Sequence, residues 1–581
     1  MNFMLNFKIR NWLDMYFIKR PTSYIPFLFL ILFVACHHND TRKEKEIVIN
    51  PLSIDEAVQR NIEAQLSYAT DNNGKVNDSF RLQSLLVVKN YYDLNDHKAV
   101  WSSMEKWKYQ ASSFLRYLTN AARDGLYRED YHFSAISNIK NALDADSLKR
   151  MDAVLWTKAD LLLTDAFMHV MQDLKQGRLQ PDSQAIQNNP AKHQEFFSLS
   201  LTRFIKGEPF DSIAKHAQPT LQKYWELKDA IGSFLDSMDN KTYTYIIYPY
   251  KASGEEDSTA FVKKLLMRLN ESGITTNHPV VDSLQLASLV KRYQQYKNMK
   301  ADGKISSSFI RVLNTTDSMR FNRIAITLDR YKQMPDSMPE KYIFVNLPAF
   351  YLQVWDADTI VMASKIVCGK PSTATPIITS AVSNMVTYPT WTVPESIIKK
   401  EILPGLKKNS NYLARKGLHL YDRNGDVVDA TKVNWSKYSK GIPYKIQQGS
   451  GDDNALGVIK FNFNNPFDVY LHDTNQRYLF RNVMRALSHG CVRVQDWQAL
   501  AFYIARNDSV QTEKKADTLN YNTDSIINWI AKKEKHRIEI KYKIPLFIRY
   551  FTCEGVNGTV KFYDDIYDED KKAKEKFFAA K

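Results

Sequence analysis

Chemistry in this chain is concentrated between Tyr470 and Val494, YLHDTNQRYLFRNVMRALSHGCVRV. A histidine, His472, is followed after fifteen intervening residues by Ser488-His489-Gly490-Cys491, and a strand-like run resumes at Val492-Arg493-Val494. A cysteine attacks as thiolate, and an unperturbed thiol near pKa ~8.5 is only a few per cent ionised at neutral pH. It needs a base or a positive field beside it. His472 supplies the base if the chain folds back on itself. His489 adds polarity two residues from the thiol. Gly490 lets the backbone take a conformation closed to other residues, so that N–H groups of Gly490 and Cys491 can point at a developing oxyanion. Taken singly, a cysteine is most often a small buried hydrophobe. The weight lies in the combination.

That combination, a histidine, a spacer, Ser-His-Gly-Cys, an apolar residue and then Arg493, resembles the signature of the L,D-transpeptidase catalytic domain. The resemblance implies a cell-wall enzyme acting on peptidoglycan stem peptides. Cys491 would be the nucleophile and His472 the general base, with His489 and Gly490 completing the catalytic turn. Arg493 and Ser488 would help to hold substrate or loop, and Tyr470, Trp391 and Asp473 would wall the cleft or orient His472. No cofactor is implied. No His/Cys group has zinc spacing, so no metal is expected.

The elements that must position these residues begin at Lys341. Tyr342–Asn346 and Tyr351–Trp355 alternate like strands, and Val386–Val393 is stopped by Pro394. Together with VCGKPSTATP and the Asn454-Ala455-Leu456-Gly457 turn, they resemble the strands of the same family. A mostly antiparallel β domain is expected over 341–567, interrupted at 397–449 by an insertion rich in Gly, Pro and Asn-Gly turns. By resemblance that insertion is a capping subdomain, which would keep water from an acyl-enzyme. The charged tail 568–581 reads as loosely held.

Upstream the pattern is helical. Residues 51–279 are expected as an α-helical scaffold. Tyr92, Trp101, Ala122-Arg123-Asp124-Gly125-Leu126, Asp173-Leu174 and Gly177-Arg178 occur in an order that resembles the helical scaffold of large L,D-transpeptidases. Residues 280–331, with their Asp302-Gly303-Lys304-Ile305 turn, resemble a small three-helix peptidoglycan-binding module. The fold class expected is therefore multi-domain α+β.

The first residues carry a different message. Basic positions Lys8, Arg10, Lys19 and Arg20 precede the apolar run Tyr24–Ala35, which is short for a membrane span and suits a signal-peptide core. Its end, Val34-Ala35-Cys36, resembles a bacterial lipobox, so 1–36 is expected as a lipoprotein-type signal with Cys36 lipidated, and 37–50 as a tether. An exported, membrane-anchored protein of the cell envelope and periplasm follows. Cys368 and Cys553 are left; a disulfide between them is open in an oxidising compartment, and two buried free thiols are the expectation. The 581 residues carry 79 Lys and Arg against 64 Asp and Glu, a net +15, which suits polyanionic envelope partners. No nucleic-acid recognition motif accompanies that charge. Three other readings of the site remain: an L,D-carboxypeptidase, a transpeptidase that attaches protein to the wall, and a lipid-anchored wall-binding scaffold without catalysis. A papain-type peptidase would place its cysteine upstream of its histidine, the reverse of the order here.

Overall fold

The computed structural model describes residues 44–77, 80–179, 190–239, 241–248, 258–274, 282–297, 299–439, 441–515 and 518–578. The expected signal segment with Cys36, and the first half of the tether (37–43), lie outside them. Among the described residues no helix is long and apolar enough to cross a membrane.

Helices α1 (Ile54–Asp71), α2 (Leu85–Leu94), α3 (Tyr109–Thr119), α4 (Phe133–Ala145), α5 (Ala153–Gln176), α6 (Pro190–Ile205) and α7 (Phe210–Ala217) enclose one hydrophobic core. Its axis is α5, capped by the Asp152 carboxylate on the Val154 N–H at 3.0 Å. Because α5 is surrounded, its polar residues must be satisfied internally. Asp160 accepts the Val100 and Trp101 N–H groups, both at 2.9 Å, and the Tyr92 hydroxyl. Thr164 accepts the Trp101 indole N–H at 2.8 Å. Tyr92 and Trp101 are thus fixed by hydrogen bonds to α5 as well as by packing.

Helix α8 (Gln222–Asp236) and helix α12 (Asp317–Lys332) join these helices to the β domain. Tyr224, Leu227 and Ile231 of α8 share a core with Ile324, Leu328 and Tyr331 of α12 and with Tyr342, Phe344, Trp355 and Phe547 of the β domain. Two glycines make the approach of α12 close. Both have positive φ, +71°, and a Cβ at Gly125 would fall 2.9 Å from the Leu328 side chain, one at Gly177 3.0 Å from Asp329. The Arg178 N–H then donates to Asp329 at 3.0 Å, and Lys332 donates to the Asp173 carbonyl at 2.8 Å. The Asp-Gly and Gly-Arg motifs of the scaffold are therefore a seat for α12.

This corrects the expected three-helix module. The small core between the two halves comes from α9 (Ser258–Glu271), α10 (Ser283–Tyr296) and α11 (Ser307–Asn314), with Phe261, Leu265, Leu269, Val290, Tyr293, Phe309 and Leu313 buried together. It starts before residue 280. Helix α12, expected as the last helix of the module, turns its apolar face to the junction instead. The tail also differs from expectation. Residues 569–577 form helix α15, because Asp570, 3 % exposed, pairs with Arg330 at 2.5 Å and Arg323 at 3.3 Å on α12.

The C-terminal half is a closed barrel. Its strands are β1 (Lys341–Asn346), β2 (Tyr351–Asp356), β3 (Thr359–Gly369), β4 (Ile378–Thr387), β5 (Ile459–Phe463), β6 (Leu471–His472), β7 (Ala486–Ser488), β8 (Val492–Val494) and β9 (Arg537–Arg549). The order around the ring is β3-β8-β6-β5-β4-β9-β1-β2 and back to β3, with β7 appended to β3. All ring pairings are antiparallel except β6 with β8 and β9 with β1. Ile343, Val345, Ile366, Met385, Phe461, Leu471, Val492 and Leu546 fill the interior, covered by α13 (Trp497–Lys514) and α14 (Thr523–Ala531). The insertion has its own core around Ile402, Leu406, Leu420, Trp435 and Ile446, and a four-stranded sheet tied to the barrel through Trp391–Thr392. Cys368 and Cys553 are buried free thiols.

Candidate active site

Strand alternation builds the site. Phe461, Leu471, Val492 and Val494 point into the barrel and are buried, so Lys460, Tyr470, His472, Cys491 and Arg493 lie on the opposite face. The register sets His472 of β6 beside Arg493 of β8 on one side and Lys460 of β5 on the other. Since Leu471 pairs with Val492, and the Val492 N–H donates to the Tyr470 carbonyl at 3.1 Å, Tyr470 stands opposite Cys491. His472 is the diagonal neighbour of the thiol.

The Cys491 thiol is half-buried and donates weakly to the Asp468 carbonyl at 3.8 Å. Burial pushes its pKa up; the Tyr470 backbone and hydroxyl, Lys460 and Arg493 oppose that rise. The Tyr470 hydroxyl lies between the thiol and the Trp391 indole, and burial holds it strongly protonated. Lys460 places its ammonium 3.9 Å from the centre of the Tyr470 ring. Its pKa is lowered, chiefly by burial. Trp391, Tyr470 and Cys491 are thus brought together. A cleft of about 410 Å³ opens there, lined by Trp391, Thr392, Lys460, Asp468 and Tyr470.

His472 is 4 % exposed, and its pKa is lowered to about 3. Burial is the main cause, followed by the Arg493 charge, with Lys460 adding to it. Its Nδ1 is buried without a hydrogen-bond partner among the described residues. At neutral pH the imidazole is neutral and able to accept a proton. Resting thiol and resting imidazole are therefore both uncharged, with two cations beside them.

Asp473 does not orient this ring through its carboxylate. Its oxygens accept the Val458 N–H at 3.1 Å and Arg477 at 2.8 Å. Gly457, at φ +61°, is needed for that contact, since a Cβ there would fall 2.2 Å from Asp473 Oδ2. The Asn454–Gly457 turn is thus shaped around the carboxylate that follows His472.

The Ser-His-Gly-Cys turn is pinned from several sides. Ser488 Oγ, 2 % exposed as a residue, donates to the Cys491 carbonyl at 2.6 Å and accepts the Gly490 N–H at 3.1 Å. Thr375 Oγ1 donates to the Gly490 carbonyl at 2.7 Å, and the Lys370 N–H donates to the Ser488 carbonyl at 2.9 Å. Gly490 sits at φ +127°, a region that excludes side chains. Its role is conformational: the N–H expected to face an oxyanion is engaged by Ser488. His489 also departs from expectation. Its Nε2 meets Glu401 Oε1 of the insertion at 2.5 Å, with Lys370 3.6 Å from the same oxygen. Burial works against the Glu401 carboxylate, but His489 and then Lys370 hold it below the usual range. Arg493 donates to Gln476 at 2.9 Å.

Lys460, Asp468, Thr375 and Glu401 were not among the sequence candidates. Lys460 had a signal, since Ile459, Phe461 and Phe463 alternate with it and leave it on the polar face. Glu401 had none, because only the folded insertion brings it to His489.

With barrel, diagonal histidine and pinned thiol turn in place, residues 340–511 match the family model of an L,D-transpeptidase catalytic domain. Residues 87–231 match the model of a Scaffold domain. The chain is 32 % identical over 249 residues to a protein of Haemophilus influenzae named "Putative L,D-transpeptidase". The match covers 43 % of this chain and 48 % of the relative, so the chain spans about half the length of the curated relative it matches. A solved structure described as the "Ldtfm-avibactam carbamoyl enzyme" is 13 % identical, covering 37 % of this chain and 51 % of that one, with a TM-score of 0.16. A score that low carries no argument about fold.

Proposed function

We propose that this chain is a peptidoglycan L,D-transpeptidase of the cell envelope. Cys491 attacks the carbonyl between meso-diaminopimelate and D-alanine in a donor tetrapeptide stem. His472 takes the thiol proton and returns it to the departing D-alanine amine, leaving a thioester on Cys491. The amine of a second stem then attacks the thioester, His472 takes its proton, and a 3–3 crosslink forms as the thiolate leaves and is reprotonated. The observation that carries this reading is the pairing of a neutral, buried His472 with a thiol flanked by Lys460 and Arg493. The imidazole is unprotonated and lies beside the thiol; its lowered pKa makes the transfer uphill, and the two cations offset part of that cost by stabilising the thiolate.

Tyr470 supports the reading from the other side. Its hydroxyl lies beside the thiol, where a carbonyl oxygen gains charge during attack, and one such donor is worth about 3–4 kcal/mol of barrier. The N–H of Cys491 is the natural second donor. An N-terminal lipid on Cys36 would keep the enzyme at the membrane.

The test is intact mass after incubation with a carbapenem, with D-alanine release from a tetrapeptide stem followed in parallel. An adduct on the wild type that is absent from Cys491→Ala, together with D-alanine release, is expected. Absence of both from the wild type would overturn the assignment.

A further inference from the structure

The row of paired residues that contains His472 does not stop at Lys460. Across β5, β4 and β9 the register continues from Lys460 to Val386 and from Val386 to Arg537. Strands lie about 4.8 Å apart, so Arg537 stands roughly 10 Å beyond Lys460 on a line leading away from the thiol. A groove of about 630 Å³ follows this line and shares Lys460, Asn462 and Asn464 with the cleft beside Tyr470. Its charged lining residues are Lys460, Lys535 and Arg537, and among the described residues lining it none is acidic. Lys535 donates to Thr390 at 3.0 Å, and Arg537 uses its Nε on Glu539, just outside the groove. The Arg537 side chain remains 65 % exposed. Asn384 and Asn462, hydrogen-bonded to each other at 2.7 Å, add amide groups to the floor.

We infer that this groove is a subsite for a carboxylate-bearing peptide stem, whose free carboxylate is held by Lys535 and Arg537 while its reacting end lies at Cys491. The inference rests on the transpeptidase reading and names where the peptide runs. Lys460 and Lys535, together with an Arg537 whose charge is partly offset by Glu539, leave the groove electropositive, and the guanidinium N–H groups that Glu539 does not engage suit a carboxylate.

The experiment measures binding rather than turnover, so that the two ideas fail separately. Cys491→Ala protein is titrated with a soluble tetrapeptide stem, and again with the stem amidated at one carboxylate at a time. The same titrations follow on Cys491→Ala carrying Lys535→Glu and Arg537→Glu, and on the milder Lys535→Gln and Arg537→Gln pair. Both positions are exposed, so the fold is expected to persist. The free stem should bind at least about tenfold more weakly to the charge-reversed protein, with an intermediate loss for the glutamine pair. One amidated stem should bind all three proteins alike, which identifies the carboxylate held. A tripeptide stem behaving like the tetrapeptide would assign the groove to the acceptor, and a loss confined to the tetrapeptide would assign it to the donor. Dissociation constants unchanged within twofold across all variants would overturn the subsite. A wild type that binds the stem in this way yet releases no D-alanine would overturn the transpeptidase reading instead.

Discussion

At the scale of single residues, the site works by withholding charge. His472 stays neutral because burial and two flanking cations make its protonated form costly. An ordinary histidine titrates near 6.5; this one is lowered to about 3. The unfolded chain therefore takes up the proton first as pH falls. The stabilisation is full above pH 6.5 and is lost on descending towards 3, at up to about 1.4 kcal/mol per pH unit. Thermal melts between roughly pH 7 and 4.5 should accordingly show a steeper fall for the wild type than for His472→Gln. D-alanine release should show no acid limb near pH 6.5, since the base is already unprotonated there. Tyr470→Phe removes only the hydroxyl that faces the thiol, and kcat for D-alanine release is expected to drop about 10²- to 10³-fold with little change in KM. A drop below threefold would reduce Tyr470 to a packing residue. His472, Ser-His-Gly-Cys and the aromatic cleft walls were legible in sequence, because a motif records residue types and spacing. The duties of His489, Gly490 and Asp473 were not, because each is decided by a partner supplied by a distant segment.

At the scale of elements, the insertion is connected to the catalytic turn through Glu401. The Glu401–His489 contact ties the helical turns of residues 395–408 to the loop that carries the thiol. Glu401→Gln removes the charge and keeps the shape. Hydrogen exchange at residues 486–493 is expected to rise several-fold, and thioester hydrolysis to gain on transfer to an amine. Unchanged exchange in both elements would mean that the contact is incidental. The insertion itself was visible as a run of turn residues. Its register against Trp391–Thr392, which ties it to the barrel, depends on pairings between segments some fifty residues apart, and short-range pattern does not carry those.

At the scale of the whole molecule, α12 links the N-terminal helices, the β domain and the C-terminal helix. Periodicity revealed its apolar stripe but not what covers that stripe, and so the sequence assigned it to the wrong neighbours. The charge on its other side is equally committed. Arg330, 8 % exposed, and Arg323 meet Asp570 of α15, where Thr552 also donates to the carboxylate. Removing one partner of a buried pair leaves the other uncompensated, at about 3–5 kcal/mol. Asp570→Asn should therefore lower the melting temperature of the whole protein by several degrees while leaving carbapenem acylation of Cys491 intact. A melt unchanged within a degree would count against α15 as a structural tie.

The barrel has a further consequence, in time rather than space. Its ring closes only when β9 slots between β4 and β1, and β9 meets β1 across roughly 200 residues of intervening chain. Until that strand arrives, β1 and β4 each present an unpaired edge, and the diagonal of His472 and Cys491 hangs from an open sheet. The thiol turn is complete well before its platform is. Nascent or partly unfolded chains thus carry Cys491 before they carry the closed frame that positions its partners.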